Sequence, residues 1–376
     1  MLLGAGLAAF AALAPLLRDG RGDGGAGRAL DAADRAREPI TTTLVAGTRE
    51  GRGDRPRELA WIALVALAES GERGGLVYVP PHTAAEVPGR GLQSLGSALS
   101  GGGVGLLEVT TENLLGIPLD GHLELSEPAA LDLFGELEPL AVDVPSEARV
   151  TEGPEGAPAD VPEGPQRLSA PLMAGLLYDP GSGSDDVERG SLHLAFWDAL
   201  FERFEGEPDA LEAAVHRSSP EHAATLGRLL RGLARVPGSA RTLGVLPVAR
   251  VAGDDSELSE VVEDEARELL ALAGVGPPVK ERVPVQVLNG NGAPGIGQAV
   301  GEELVGHGFE IVLSGNAHRL DQPRTLIIAH DESAEALETA RRARELLGVG
   351  KVQVSARPQG IVTLTVVVGK DFLRRK

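Results

Sequence analysis

The stretch Val283-Pro-Val-Gln-Val-Leu288, running into Asn289-Gly-Asn-Gly-Ala-Pro-Gly-Ile-Gly297, constrains the fold of this chain more than any other. An apolar run of strand length meets a glycine turn and then residues at helical spacing, so a strand–turn–helix unit is expected. Gly290, Gly292 and Gly295 fit G-x-G-x-x-G, which can hold a dinucleotide pyrophosphate on backbone N–H groups. Three features oppose that use. The acid expected ~20 residues further on falls at Glu310, which opens the next strand instead of closing it. Pro294 sits inside the turn, and residues 282–376 make too short a domain for a doubly wound sheet. The glycines are therefore read as a tight turn with close helix packing, with another anion left open as a ligand.

The same periodicity continues through the last domain. Strands are expected at 283–288, 310–313, 325–330, 352–355 and 361–368, with helices at 296–307 and 334–347. That order, β-α-β-β-α-β plus one strand, predicts a small α+β domain of the ferredoxin-like split β-α-β kind.

Upstream, short apolar runs bounded by Gly, Pro and charge predict strands at 42–46, 59–68, 75–79, 122–125 and 140–144. Helices are expected at 106–115, 128–135, 169–177, 191–204, 208–216 and 220–235, the last with Ser219 as N-cap before Pro220. A strand at 243–248 closes this region. Alternating strands and helices predict an α/β sandwich over residues 40–250. Pro145–Pro165, rich in Pro, Gly and Glu, is read as an acidic surface loop. Residues 251–281 carry a helix up to Gly274 and then a stiff Gly276-Pro-Pro278 linker, where the domain boundary is placed.

Leu2–Leu17 is uncharged, mostly apolar and followed by Arg18 and Arg21, just short of the ~20 residues of a spanning helix. It is read as a membrane anchor or signal-like segment at 1–17, with a buried core helix as the alternative, and a basic flank could lie upstream of residue 1. Residues 18–39 then form a flexible tether, and the bulk of the chain is expected outside the cytoplasm.

With 42% apolar and 24% charged residues the 376-residue chain is globular, and with 3% aromatics its cores must rest on Leu, Val, Ala and Ile. A net charge of −20 opposes nucleic acid as a partner. The absence of Cys removes thiolate chemistry and Cys-type zinc sites. No His pair has metal-ligand spacing: His193 lies on a helix, and His216 and His222 straddle a turn.

Arg49, Arg52, Arg55 and Arg57 form a dense basic cluster, and Arg90 lies in a Gly-rich loop after a strand. Such Arg forks suit a pyrophosphate, with the interleaved Glu50, Asp54 and Glu58 available to a divalent metal. The same interleaving also fits a solvated loop that neutralises itself. Ser182, Ser184, Asp185 and Asp186 read either as a cation loop or as turn chemistry.

Val285-Gln-Val-Leu-Asn-Gly290, Thr325-Leu-Ile-Ile328 and Val366-Val-Val-Gly-Lys-Asp-Phe372 closely resemble the LytR C-terminal domain, in that family's order and spacing. In that family the domain follows a catalytic LytR-CpsA-Psr (LCP) domain outside the membrane, which transfers glycopolymers from polyprenyl pyrophosphate onto the cell wall. Residues 40–250 resemble a worn LCP domain through Leu44-Val-Ala-Gly47, Val77-Tyr-Val-Pro-Pro-His-Thr83, Val109-Thr-Thr-Glu-Asn-Leu-Leu-Gly-Ile117, Leu177-Tyr178 and the helix after Arg189.

The chemistry departs from the family's pattern. Gly47-Thr48-Arg49 stands for Gly-Ser-Asp, Pro80-Pro81-His82-Thr83 for Pro-Arg-Asp-Thr, Arg57-Glu58-Leu59-Ala60 for Arg-Ser-Asp-Thr, and Tyr178-Asp179-Pro180 for Tyr-Ala-Arg. The resemblance thus implies a catalytically degenerate, membrane-anchored envelope protein that binds wall glycopolymer, a polyprenyl-linked precursor or an envelope partner. No catalytic residue is assigned, and Arg49, Arg52, Arg55, Arg57 and Arg90 are the candidate pyrophosphate contacts. The alternative is a rewired transferase, with Mg²⁺ as cofactor only if the transferase site survives.

Overall fold

A computed structural model describes residues 38–51, 57–150, 157–179, 185–217, 220–250, 258–275, 282–355 and 362–375. The apolar run at Leu2–Leu17, the tether up to residue 37, Arg52, Arg55, Ser182, Ser184, Ser219 and the Gly276–Lys280 linker lie outside the described residues. Among the described residues no helix is long and apolar enough to cross a membrane. Both large sheets belong to one compact unit, Pro39–Lys376.

The first module contains β1 (Ile40–Arg49), β2 (Glu58–Ala68), β3 (Gly74–Val79), a hairpin of β4 (Ala84–Val87) and β5 (Gly91–Ser94), helix α1 (Ser97–Leu115) and β6 (Gly121–Ser126). Next come α2 (Glu127–Gly135), β7 (Leu140–Val144), β8 (Ala148–Val150), β9 (Ala159–Val161) and β10 (Gly164–Leu168). Helices α3 (Ala170–Tyr178), α4 (Asp186–Gly206), α5 (Pro208–Arg217) and α6 (Pro220–Arg235) lead to β11 (Arg241–Val245), β12 (Val248–Arg250), β13 (Ser259–Val261) and α7 (Glu263–Leu272). The expected α/β class holds.

The main sheet runs β11-β3-β2-β1-β6, with β2 antiparallel to its neighbours and the other pairs parallel. Alternate residues of the central strands face two different cores. Val45, Trp61, Ala63, Val65, Leu76 and Tyr78 meet α2 to α6 on one side, whereas Leu44, Ala46, Ile62, Leu64, Val77 and Val79 meet α1 and α7 on the other. Continuous apolar runs such as Leu59–Ala68 follow from cover on both faces.

Several local expectations are corrected. Helix α1 starts at Ser97, well before residue 106, because two helical pieces join across a kink at Gly102 and Gly103, the latter at φ 75°. The glycines disguised the first piece. Pro145–Pro165 is not loop throughout: β8 and β9 pair, and Val150 and Val161 are buried in the core. Asp185 has the turn role of its two readings, since its carboxylate caps α4 by accepting from the N–H groups of Val187 and Glu188. Helix α7 belongs to the first module, its Ala266 and Leu270 packing into the core on the α1 side of the sheet.

The second module comprises β14 (Val283–Asn289), α8 (Ile296–Leu304), β15 (Phe309–Asn316), β16 (Leu326–Ala329), α9 (Ala334–Leu347), β17 (Lys351–Val354) and β18 (Leu364–Val368). The element order is the expected one. The strand order β15-β14-β18-β16-β17 differs in detail from a split β-α-β arrangement, because each β-α-β unit keeps its two parallel strands adjacent and β18 lies between the units. The reason is burial. Leu364-Thr-Val-Val-Val368 is apolar on both faces and almost wholly buried, which suits a central strand and not an edge.

The two modules meet over a shared surface. Val109 of α1 is part of the second core. The Asn113 side chain donates to Ile311 O at 2.9 Å and accepts from Ile311 N at 2.8 Å, doing for edge strand β15 what a further strand would do. At the tip of the β4–β5 hairpin, Ser314 Oγ accepts from Gly89 N and Gly91 N and donates to Glu86 Oε1. Arg282 donates to Asn113 O and pairs with Glu310 at 3.2 Å.

Candidate functional site

The glycine turn after β14 has the strand-to-helix placement expected of it, but the N–H groups of Gly290 to Ala293 are already used. Asn289 Oδ1 accepts from Asn291 N and Gly292 N, Asn291 Oδ1 accepts from Ala293 N, and Gly290 N donates to Val368 O. Gly292 and Gly295 have φ of 78° and 74°. A Cβ at Gly297 would lie 2.2 Å from Gly89 N, so that glycine admits the neighbouring hairpin. Turn geometry and close packing account for these glycines.

A different place gathers chemical groups. In sheets with parallel strands, ligands bind beyond the carboxyl ends, and here the ends of β1, β3 and β6 share an edge with the start of β2. That edge carries Thr48, Arg49, Arg57, Glu58 and Glu124, and His82 follows β3. Arg49 reaches Glu58 Oε2 with Nη2 at 3.0 Å and Nε at 3.3 Å. Arg57 Nη1 donates to Glu124 Oε1, which also accepts from the buried Thr48 hydroxyl at 2.9 Å. Both described arginines of the expected cluster therefore face a carboxylate of this chain.

Arg90 is not on that edge. It occupies the β4–β5 turn, donates to Gly101 O at 3.0 Å and faces the second module. The structure thus joins Arg49 and Arg57 at one edge and separates Arg90 from them.

Sequence reasoning named Asp186 and His193 but missed the buried contacts that join them to His82 and Arg189. Asp186, the first residue of α4, accepts at Oδ2 from both His82 N and His82 Nδ1 at 3.0 Å. Its other oxygen lies 3.7 Å from Arg189 Nη1. Burial alone would raise the Asp186 carboxyl, but the His82 hydrogen bonds and the Arg189 charge outweigh it and hold it below the usual range. Arg189 is 5% exposed, and its Nη2 donates to Ala60 O.

One turn further, His193 stands between Tyr78 and Trp61, at ring distances of 4.9 and 5.4 Å. Burial first, and then the Arg189 charge, push its imidazole down to about 3, so it is neutral. Tyr78 is driven upward by burial. Arg189 Nε, Tyr78 Oη, Trp197 Nε1 and the His193 ring nitrogens lack hydrogen-bond partners of good geometry. An unsatisfied buried polar atom costs about 1–3 kcal/mol, so such a cluster beneath a sheet edge marks a site more than a core.

The apolar side of this cluster is closed. Between the sheet and helices α4 and α6, a space lined by Val45, Trp61, Leu125, Trp197, Phe201 and Leu229 measures about 20 Å³. That is about the room of one water molecule. Trp61 fills it, packing edge-on against Tyr178 and Trp197 at 6.0 Å.

Among the described residues no three His, Asp or Glu side chains converge to hold a metal ion. Asp186 is committed to His82 and Arg189, Glu124 to Thr48 and Arg57, and Glu58 to Arg49. These residues do not fit a Mg²⁺ site, and no step is assigned to one.

Residues 282–372 match the family model described as LytR cell envelope-related transcriptional attenuator. No curated protein sequence matches the chain significantly. Among solved structures, the chain is similar to TagV of B. subtilis at 15% identity and a TM-score of 0.49, covering 64% of this chain and 99% of that one. A LytR-Csp2A-Psr enzyme from Actinomyces oris aligns at 20% identity and a TM-score of 0.49, covering 63% and 90%. TagT bound to LI-WTA aligns at 17% identity and 0.48, covering 64% and 93%. Likenesses of this strength carry no argument about chemistry.

Proposed function

We propose that this chain, which carries a LytR C-terminal domain at 282–372, is a membrane-tethered extracytoplasmic relative of the glycopolymer transferases that binds wall polymer or its lipid-linked precursor without transferring it. The observation that carries this reading is the pairing of each described arginine at the carboxyl edge: Arg49 with Glu58, Arg57 with Glu124, Arg189 with Asp186. A transferase must hold a pyrophosphate leaving group with cations that the protein has not already neutralised. The filled space beneath Trp61 supports the same conclusion, since it leaves no room for a polyprenyl chain there.

The test is to incubate the purified full-length chain with a labelled lipid-linked glycan, a wall acceptor and Mg²⁺. Retention of label on the protein without transfer is expected. Transfer that Arg57→Ala abolishes would overturn the reading. A rewired transferase has one observation in its favour, the buried Arg189 near the unpartnered Tyr78 hydroxyl, and Arg189→Gln is the variant that would abolish its activity.

A further inference from the structure

At the opposite edge of the first sheet, where β1 begins and β2 ends, a cleft of about 550 Å³ opens between the strands and α6. Its floor is Leu67, Ala68 and Leu229. Gly232 lets the helix come in close, since a Cβ there would lie 2.4 Å from Leu67 Cδ1. Arg228, Arg231 and Arg235 of α6, spaced i, i+3 and i+7, fall on one helical face and all line the cleft, against one lining carboxylate, Glu69.

Their engagement is uneven. Arg231 is held bidentately by Glu212, at 2.8 and 2.7 Å. Arg228 and Arg235 are exposed, and among the described residues neither pairs closely with a carboxylate, although the Arg235 charge also helps to lower Glu212. A cleft with three guanidinium groups is unusual in a chain of net charge −20. Pro39, where the tether enters the folded unit, is itself a lining residue.

We propose that this cleft docks on the phosphate headgroups of anionic membrane lipids, Arg228 and Arg235 supplying the forks that grip phosphate oxygens. The inference rests on the membrane-tethered reading above, and it says which face the tether presents to the bilayer. A protein of strong negative charge is repelled by an anionic surface except where a basic patch lies within a Debye length of it, about 8 Å at physiological salt. Planar guanidinium groups match phosphate oxygens two at a time, and the apolar floor suits the glycerol and first methylenes behind a headgroup.

The experiment is flotation of the full-length chain with vesicles of phosphatidylcholine alone and with vesicles of phosphatidylcholine and phosphatidylglycerol in equal parts, at low and physiological salt. Wild-type protein, Arg228→Gln/Arg235→Gln and the remote control Arg341→Gln are compared, with circular dichroism verifying the fold of each. The wild type is expected to partition more strongly onto the anionic vesicles, the gain falling about fivefold per arginine removed and shrinking with salt. Arg341→Gln is expected to behave as wild type.

Equal partition onto both vesicle types, or a double variant that keeps the whole gain, overturns the cleft while leaving the tether intact. Failure to bind neutral vesicles, with an arginine-dependent gain on anionic ones, removes the tether and keeps the cleft. Inorganic phosphate bound at these arginines without any gain on anionic vesicles makes this a free-phosphate site and also overturns the proposal.

Discussion

The indole of Trp61 lies across Gly47 on the adjacent strand, so closely that a Cβ at residue 47 would come 1.9 Å from Trp61 Nε1. The glycine and the tryptophan are paired in the sheet register. Gly47 makes room for an indole, and that indole occupies what would otherwise be apolar space between the sheet and α4. Gly47→Ala is expected to displace Trp61 and to destabilise the fold by about 1–3 kcal/mol, read by denaturant titration.

Removing the indole should do more than destabilise. Trp61→Ala is expected to cost about 3–5 kcal/mol and to leave a cavity continuous with the present gap. The variant should then bind an apolar probe such as a short polyprenol that the native protein excludes, with fluorescence or calorimetry as the readout. A variant that loses stability and binds nothing would mean that the surrounding helices collapse inward.

Glu124 joins Thr48 and Arg57 at one oxygen. The pair is half exposed and contributes under about 1 kcal/mol to stability, so Glu124→Gln should unfold at nearly the native temperature. Its effect should appear in binding. With the carboxylate charge gone, Arg57 is free to meet an anion, and affinity for inorganic pyrophosphate is expected to rise about fivefold, or ~1 kcal/mol.

Acid should destabilise the first module in two windows. His193 has a folded-state pKa of about 3 against 6.5 unfolded. Between these values the unfolded chain binds the extra proton, so stability is full above pH 6.5 and declines as pH falls toward 3. Asp186 is depressed from 3.8 and adds a loss at the acid end, as its pairing with His82 and Arg189 is protonated away. His193→Phe should flatten the first slope and leave the second, seen in thermal melts from pH 7 to about 2.

Asn113 is the joint between the modules. Asn113→Ala leaves the N–H and C=O of Ile311 without their partners, at about 1–3 kcal/mol each. Faster amide exchange in β15 and in the β4–β5 hairpin is expected, with β16 and β17 unchanged.

Local pattern and long-range pairing were not equally legible. The Val283–Leu288 strand and the helix after its glycine turn could be read because apolar run, turn residues and helical spacing agree within a dozen residues. The central place of β18 could not, since which strand pairs with which depends on contacts across the whole module, although its apolar run, broken only by Thr365, was a usable sign. The β4–β5 hairpin was hidden because Ala84-Ala-Glu-Val87 and Gly91-Leu-Gln-Ser94 alternate too weakly to look like strands.

The candidate site was half legible. Arg49 and Arg57 stood out as charge and Glu58 as an interleaved carboxylate, but Glu124, 67 residues from Arg57, did not. Arg189 fell just before the expected helix at 191–204, whereas α4 begins at Asp186 and includes it. The missed signal was its phase: Arg189, His193, Phe196 and Leu200 follow the i, i+4, i+7, i+11 spacing of a single buried stripe. A charge in phase with aromatics deserved to be read as inward-facing.

With Asn113 filling the position of a further strand at β15, the sheet of the second module is sealed on that flank, and β17 is its other border. Among the described residues, the border left for an extended peptide to lengthen this sheet by backbone pairing is Lys351–Val354. Growth of the sheet is steered to that border by one amide side chain borrowed from a helix of the other half of the molecule.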